Sequence, residues 1–153
     1  MKILFIGDIV GRPGRRSLEV LLEKLIVDQG IDFTIANGEN AAGGMGITPA
    51  VAIEILNQGV NVLTSGNHIW AKKEIIPFLK EERRLLRPAN YPDPVPGRGA
   101  GIFRSRNGVS VGVLNLEGRI FMRHLECPFR VGEKEVEKLR KETEIILIDF
   151  HAE

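Results

Sequence analysis

The feature that most narrows the fold is a threefold alternation of short apolar runs with helical spacing in the first 65 residues. Ile3-Leu4-Phe5-Ile6, ended by Gly7-Asp8, is a continuous apolar run suited to a strand buried on both faces. After Gly11-Arg12-Pro13-Gly14, apolar residues recur at Leu18, Leu21, Leu22, Leu25 and Ile26, the spacing of an amphipathic helix that stops near Gly30. Phe33-Thr34-Ile35-Ala36 is the second strand. Thr48-Pro49 then supplies an N-cap and a first helical position for a helix through Val51, Ile55 and Leu56 to Gly59. Asn61-Val62-Leu63-Thr64-Ser65 is the third strand. Strands separated by helices require right-handed crossovers and a parallel sheet, so the fold class is α/β.

The rest of the chain departs from that rhythm. Glu74 to Lys80 is helical, shortened by Pro77, and residues 87–97 carry four prolines and are expected to form a long surface loop. Ala100 to Phe103 and Val109 to Leu114 flank Asn107-Gly108, whose positive φ angles predict a tight antiparallel hairpin joining the sheet. Glu133 to Glu142 is a charged helix with Val136 and Leu139 on one face. Ile145-Ile146-Leu147-Ile148 follows as a buried strand that delivers Asp149-Phe150-His151. Without repeats or an interdomain linker, residues 1–153 are read as one domain.

Charge and cysteine content set outer bounds. With 21 Lys and Arg against 20 Asp and Glu, the formal charge of +1 gives no basis for bulk electrostatic capture of nucleic acid. Cys127 is alone, which excludes an intrachain disulfide and suits a reducing cytoplasm. No segment approaches the ~18 apolar residues of a membrane span. A soluble, cytoplasmic protein without a membrane partner is expected.

Ligands of open parallel sheets bind beyond the carboxyl ends of the strands. Four such ends carry metal-competent groups: Asp8, then Glu39 and Asn40, then Asn67 and His68, and finally His151. Carboxylate, amide oxygen and imidazole form a mixed donor set that suits Mn, Fe or Zn better than Ca. A carboxylate able to bridge two cations about 3.5 to 4 Å apart points to two-metal hydrolysis of a phosphate ester. Each residue also has an ordinary reading. Asp8 can cap a helix, Glu39 can be a solvated loop acid, Asn37 and Asn40 turn residues, and His68 and His151 structural or surface histidines. Their joint placement favours the site. Arg12, Arg15 and Arg16, like Arg83, Arg84 and Arg87, could meet a phosphate or face solvent, whereas His124 and Cys127 are read as structural.

Gly7-Asp8, Asn37-Gly38-Glu39-Asn40-Ala41-Ala42, Gly66-Asn67-His68, Arg87-Pro88-Ala89-Asn90-Tyr91-Pro92 and Asp149-Phe150-His151-Ala152-Glu153 together resemble the YmdB-type branch of the calcineurin-like metallophosphoesterases. The resemblance runs over essentially the whole chain. It implies a metallophosphoesterase sandwich and a phosphodiesterase that uses two Fe or Mn ions, with Zn ranked behind them, on cyclic nucleotides, 2′,3′-cyclic ones in particular. By the same resemblance Asp8, Glu39, Asn67 and His151 are metal ligands, with Glu39 bridging. Asn40 and His68 serve the substrate phosphate during attack by a metal-bridging hydroxide. RNA ends and a homo-oligomeric partner are further expectations.

Two departures accompany it. Val10 stands where the wider superfamily has a histidine. The family pattern also continues beyond His-Ala-Glu to a Gly-Thr-His-Thr-His segment with two more ligands, so the 153 residues are expected to be an incomplete copy of the domain, with weakened metal binding and an unpaired sheet edge at Ile145 to Ile148. Glu153 is too close in sequence to His151 to stand in for a ligand from a later strand. Two other classes stay open: a noncatalytic RNA- or nucleotide-binding module with a degenerate metal site, and a phosphomonoesterase or phosphoprotein phosphatase of the same superfamily.

Overall fold

The computed structural model describes residues 1–152. It contains two three-stranded sheets stacked face to face with helices on both outer surfaces. The first sheet is parallel, in the order β1 (Ile3–Ile6), β2 (Phe33–Asn37), β3 (Val62–Thr64). Its crossovers are α1 (Gly11–Gln29) and α2 (Pro49–Asn57), and a 3-10 helix (Asn67–Trp70) and α3 (Ile75–Glu81) follow β3. The second sheet has the order β4 (Ala100–Arg104), β5 (Ser110–Glu117), β6 (Ile146–His151), with β4 antiparallel and β6 parallel to β5. The crossover from β5 to β6 is α4 (Pro128–Leu139). No helix among the described residues is long and apolar enough to cross a membrane.

Strand alternation divides the core. Phe33, Ile35 and Val62 of the first sheet meet Val111 and Val113 of the second, with Leu86 between them, in one buried cluster. On the other face of the first sheet, Ala36 and Leu63 pack against Leu18, Leu22 and Ile26 of α1, Ile55 of α2 and Leu79 of α3. Leu114 and Leu116, on the outer face of β5, are covered by Leu139 of α4. Each large apolar side chain buried this way contributes about 1.5–3 kcal/mol.

Several expectations are corrected. The hairpin does not join the first sheet. The free side of β3 is already taken by residues 84–86, where Leu63 N donates to Arg84 O at 2.7 Å and Leu86 N to Leu63 O at 2.8 Å, so the hairpin starts a sheet of its own. Its turn uses a positive φ only at Gly108 (φ 82), with Gly108 N donating to Ser105 O, so it is a longer turn closed by a left-handed glycine rather than a two-residue one. β1 is not buried on both faces: Phe5 shares the inner face of Ile35 but, on the edge strand, stays 47% exposed. α1 buries only Leu18, Leu22 and Ile26 in a single i, i+4, i+8 row, and Leu21 and Leu25 are exposed because nothing packs on the second row.

α4 begins at Pro128, five residues before the expected Glu133, because a proline at the first helical position starts a helix rather than ending a loop. β6 runs on to His151 and is a half-covered edge strand, its outward Ile148 and Phe150 exposed. In the proline-rich stretch, Arg87 and residues 90–91 are buried rather than on the surface. The Arg87 guanidinium donates to the carbonyls of Pro88, Val95 and Pro96 and so holds the loop from within.

Candidate functional site

β1, β2, β3 and β6 end on one rim of the sandwich, and the residues that follow them meet there. β2 leads into the turn that carries Glu39 and Asn40. Gly38 N donates to Thr64 O and Gly11 N to Asn40 O, which ties this turn to the end of β3 and the start of α1. Asn37 fixes it on the other side: its Oδ1 accepts from Glu39 N at 3.2 Å and its Nδ2 donates to Asp149 Oδ2 of β6 at 3.0 Å, joining the two sheets. Asn115 is a second crosslink. Its Oδ1 accepts from Ser65 N and its Nδ2 donates to Ser65 O, both at 2.9 Å, immediately before Gly66 and the 3-10 helix that begins with Asn67.

Glu39 is the centre of the cluster and only 1% exposed. Its Oε2 accepts from His68 N at 3.3 Å, while its Oε1 lies 3.3 Å from Asn40 Nδ2, 3.4 Å from His151 Nε2 and 3.6 Å from His68 Nδ1. Burial pushes the Glu39 carboxyl above the usual range, against the pull of His151 and His68. His151 Nε2 is also 2.9 Å from Asn67 Oδ1. Gly66 makes this approach feasible: a Cβ there would lie 2.2 Å from Glu39 Oε2 and 2.3 Å from His151 Cδ2.

A second chain runs outward to Asp8, which is exposed and touches the cluster through Asn40. Asn40 Nδ2 donates to Asp8 Oδ2 at 2.8 Å, and because an ionised carboxylate only accepts, this contact sets the orientation of the amide. Asn40 Oδ1 is then the atom 2.7 Å from His68 Nδ1, which must carry a proton to donate to it. His68 is thereby anchored through Nδ1, with Nε2 left for a ligand.

All six residues singled out from the sequence, Asp8, Glu39, Asn40, Asn67, His68 and His151, are thus connected at one rim. The arginines are not part of the connection. Arg15 is taken by Glu54 and the Ala41 carbonyl, Arg84 by Glu82, and Arg87 by its own loop. Glu153 lies outside the described residues. Sequence reasoning named Asp149 without giving it a role and passed over Asn115 and Glu117, although these two alternate with Leu114 and Leu116 at the end of β5 and occupy the inner face there.

The donor set suits a cation. Glu39 is a buried carboxylate with no Lys or Arg among its hydrogen-bond or ion-pair partners, surrounded instead by amides and imidazoles that can turn lone pairs toward a metal. Among the described residues no three His, Cys, Asp or Glu side chains form a cation cage by themselves, so the asparagine oxygens are needed to extend the set.

Known proteins share this architecture. The chain is 43% identical over 153 residues to the 2′,3′-cyclic-nucleotide 2′-phosphodiesterase of Bacillus subtilis, covering all of this chain and 58% of that protein. A hypothetical protein from Thermus thermophilus superposes with a TM-score of 0.87 at 36% identity, and a phosphatase from Mycoplasma pneumoniae with 0.87 at 28% identity. This chain covers 58% and 56% of those two structures, so it spans little more than half the length of the relatives it matches. With a match to the family model over residues 4–153, the chain belongs to the YmdB-like family.

Proposed function

We propose that this chain carries the metal-binding and proton-donating part of a phosphodiesterase acting on cyclic nucleotides, with 2′,3′-cyclic phosphates preferred. The observation that carries the reading is the convergence of Asn40, Asn67, His68 and His151 on the buried Glu39 carboxylate. The name of the Bacillus subtilis relative supports the substrate class. Asp8, Glu39, Asn67 and His151 would hold two Fe or Mn ions. Bound there, such ions supply Lewis-acid charge to a phosphoryl oxygen and make water a better nucleophile.

The protein's own groups do the rest. Hydrolysis adds water across one ester bond: a new P–O bond forms to the water oxygen and the bond to a ribose oxygen breaks. That ribose oxygen leaves with a proton from His68 Nε2, and the proton lost by water restores the imidazole. Asn40 keeps the His68 ring aimed by accepting from Nδ1, and the amide hydrogen now making only a 3.3 Å contact with Glu39 can bind a phosphoryl oxygen. A 2′,3′-cyclic phosphate at an RNA end presents the same group as the free nucleotide.

Turnover of 2′,3′-cyclic AMP, 3′,5′-cyclic AMP, AMP and a phosphopeptide, each with added Mn²⁺, tests the reading. The 2′,3′-cyclic substrate should be hydrolysed fastest, and His68→Ala should cost about 10²- to 10⁴-fold in turnover while leaving bound metal unchanged. Preference for AMP or the phosphopeptide refutes the diesterase assignment, and equal loss of metal and turnover makes His68 a ligand instead.

A further inference from the structure

Beside the cluster, three side chains bury polar atoms that face one another without making a well-formed hydrogen bond: Trp70 Nε1, the Tyr91 hydroxyl and both carboxyl oxygens of Glu117. Such groups are rare enough in folded proteins to need an explanation. Here they form a series. The rings of Trp70 and Tyr91 meet edge to face, with centroids 5.4 Å apart and planes at 65°. Tyr91 in turn lies beside Glu117, and burial first, with the Glu117 charge second, pushes its phenol up to about 12. An indole N–H only donates, a hydroxyl donates and accepts, and a carboxylate only accepts, so the three groups are complementary in one order only, from Trp70 through Tyr91 to Glu117.

The ends of this series are the two elements that supply Asn67 and His151. Trp70 closes the 3-10 helix that Asn67 opens. Glu117 is completely buried at the end of β5 and is the register partner of His151 at the end of β6, so both side chains leave the same face of the sheet. The link is braced at its middle, because Asn90, next to Tyr91, accepts from Glu117 N at 2.9 Å and donates to Glu117 O at 2.8 Å.

We propose that Glu117 is a positioning residue for His151, tied through Tyr91 and Trp70 to the helix that carries Asn67, so that this buried series sets the geometry of the Asn67–His151 pair. The inference rests on the ligand roles proposed above. Glu117 does not touch substrate in this scheme. It acts by limiting where the His151 ring and the Asn67 amide can sit, the part that outer partners of metal ligands play generally.

The test compares the full 153-residue chain with Glu117→Gln, Glu117→Leu and Tyr91→Phe. Two readouts are taken: the NMR signals of the Asn67 side-chain amide and the His151 ring in the metal-free protein, and the affinity for Mn²⁺ alone by calorimetry. Glu117→Leu and Tyr91→Phe should displace both sets of signals and weaken Mn²⁺ binding about 10- to 100-fold. Glu117→Gln, with a hydrogen-bonding group of the same shape, should keep the wild-type signals and affinity. Unmoved Asn67 and His151 signals in either disruptive variant overturn the proposal, as does a Glu117→Gln change as damaging as Glu117→Leu. If Glu117→Leu does not fold, Tyr91→Phe, which removes a single oxygen, decides. Failure of every protein, wild type included, to bind Mn²⁺ refutes the metal-site reading, and the metal-free NMR comparison still decides the positioning role.

Discussion

Replacing Asn115 with leucine, a side chain of similar size, should destabilise the protein far more than its small change in volume suggests. Asn115 is fully buried between the sheets and makes two 2.9 Å hydrogen bonds to the backbone of Ser65, with a longer 3.4 Å contact to Asp149 O. Leucine leaves the Ser65 N–H and C=O without partners, and each orphaned buried group costs about 1–3 kcal/mol. The better burial of an apolar side chain offsets part of this, so a net loss of about 2–4 kcal/mol is expected. Against a typical stability of about 5–15 kcal/mol that is a large fraction. Urea unfolding followed by the fluorescence of Trp70, the single tryptophan, measures it directly. With a slope of about 1–3 kcal/mol per molar, the midpoint should fall by ~1–3 M. Asn115→Asp sharpens the argument, because it keeps the acceptor for Ser65 N but sets a negative oxygen against the Ser65 and Asp149 carbonyls. That variant should be harmed most at neutral pH and recover in acid, where the new carboxyl is protonated. A leucine midpoint within about 0.3 M of wild type, well below the expected shift, would falsify the reasoning.

Three further outcomes are expected. On the proposed ligand roles, Gly66→Ala should remove Mn²⁺ binding and phosphodiester turnover together, since its Cβ would stand 2.2 Å from Glu39 Oε2; retained binding, by calorimetry, contradicts the close-approach argument. Burial raises the Glu117 carboxyl above its ordinary value, so the folded protein holds that proton more tightly than the unfolded chain, and the resulting stabilisation is present in acid and lost as pH rises through the raised pKa. Glu117→Gln should therefore gain urea resistance relative to wild type between acid and neutral pH, and a difference that does not vary with pH rejects the assignment. Ile148→Lys, on the outward and 49% exposed face of edge strand β6, should leave the urea midpoint and the circular dichroism spectrum unchanged; a clear loss of stability shows that this side chain is covered after all.

The parts of this fold visible in the sequence are those set by local chemistry. Thr48-Pro49 caps α2 as read, with Thr48 Oγ1 accepting from Val51 N. The strand-end rule collected the four side chains gathered around the Glu39 carboxylate, Asn40, Asn67, His68 and His151, because parallel strands and their crossovers send the carboxyl ends to one side. What escaped was set by partners distant in sequence. Nothing near Ala100 says that residues 84–86 already occupy the side of β3, so the separate second sheet was not legible. Likewise the exposure of Phe5, Leu21 and Leu25 depends on which neighbours fail to cover them. Arg87 looked like a solvent or phosphate residue because its true partners are the carbonyls of its own loop, a contact that leaves no pattern in residue types.

The Asn37–Asp149 contact spans 112 residues, and with Asn115–Ser65 it joins the strand ends on which the cluster stands. Closing so long a loop is entropically costly and is repaid only once both sheets are in place. Assembly of the rim is therefore a late event in folding, and local contacts such as the helix caps precede it. No fragment that stops short of β6 can pre-form the Glu39 environment, since His151 and the Asp149 brace both come from that strand. During refolding, recovery of helical circular dichroism should run ahead of recovery of Mn²⁺ binding. On the proposed ligand roles, metal affinity then serves as a clock for the final docking of the two sheets.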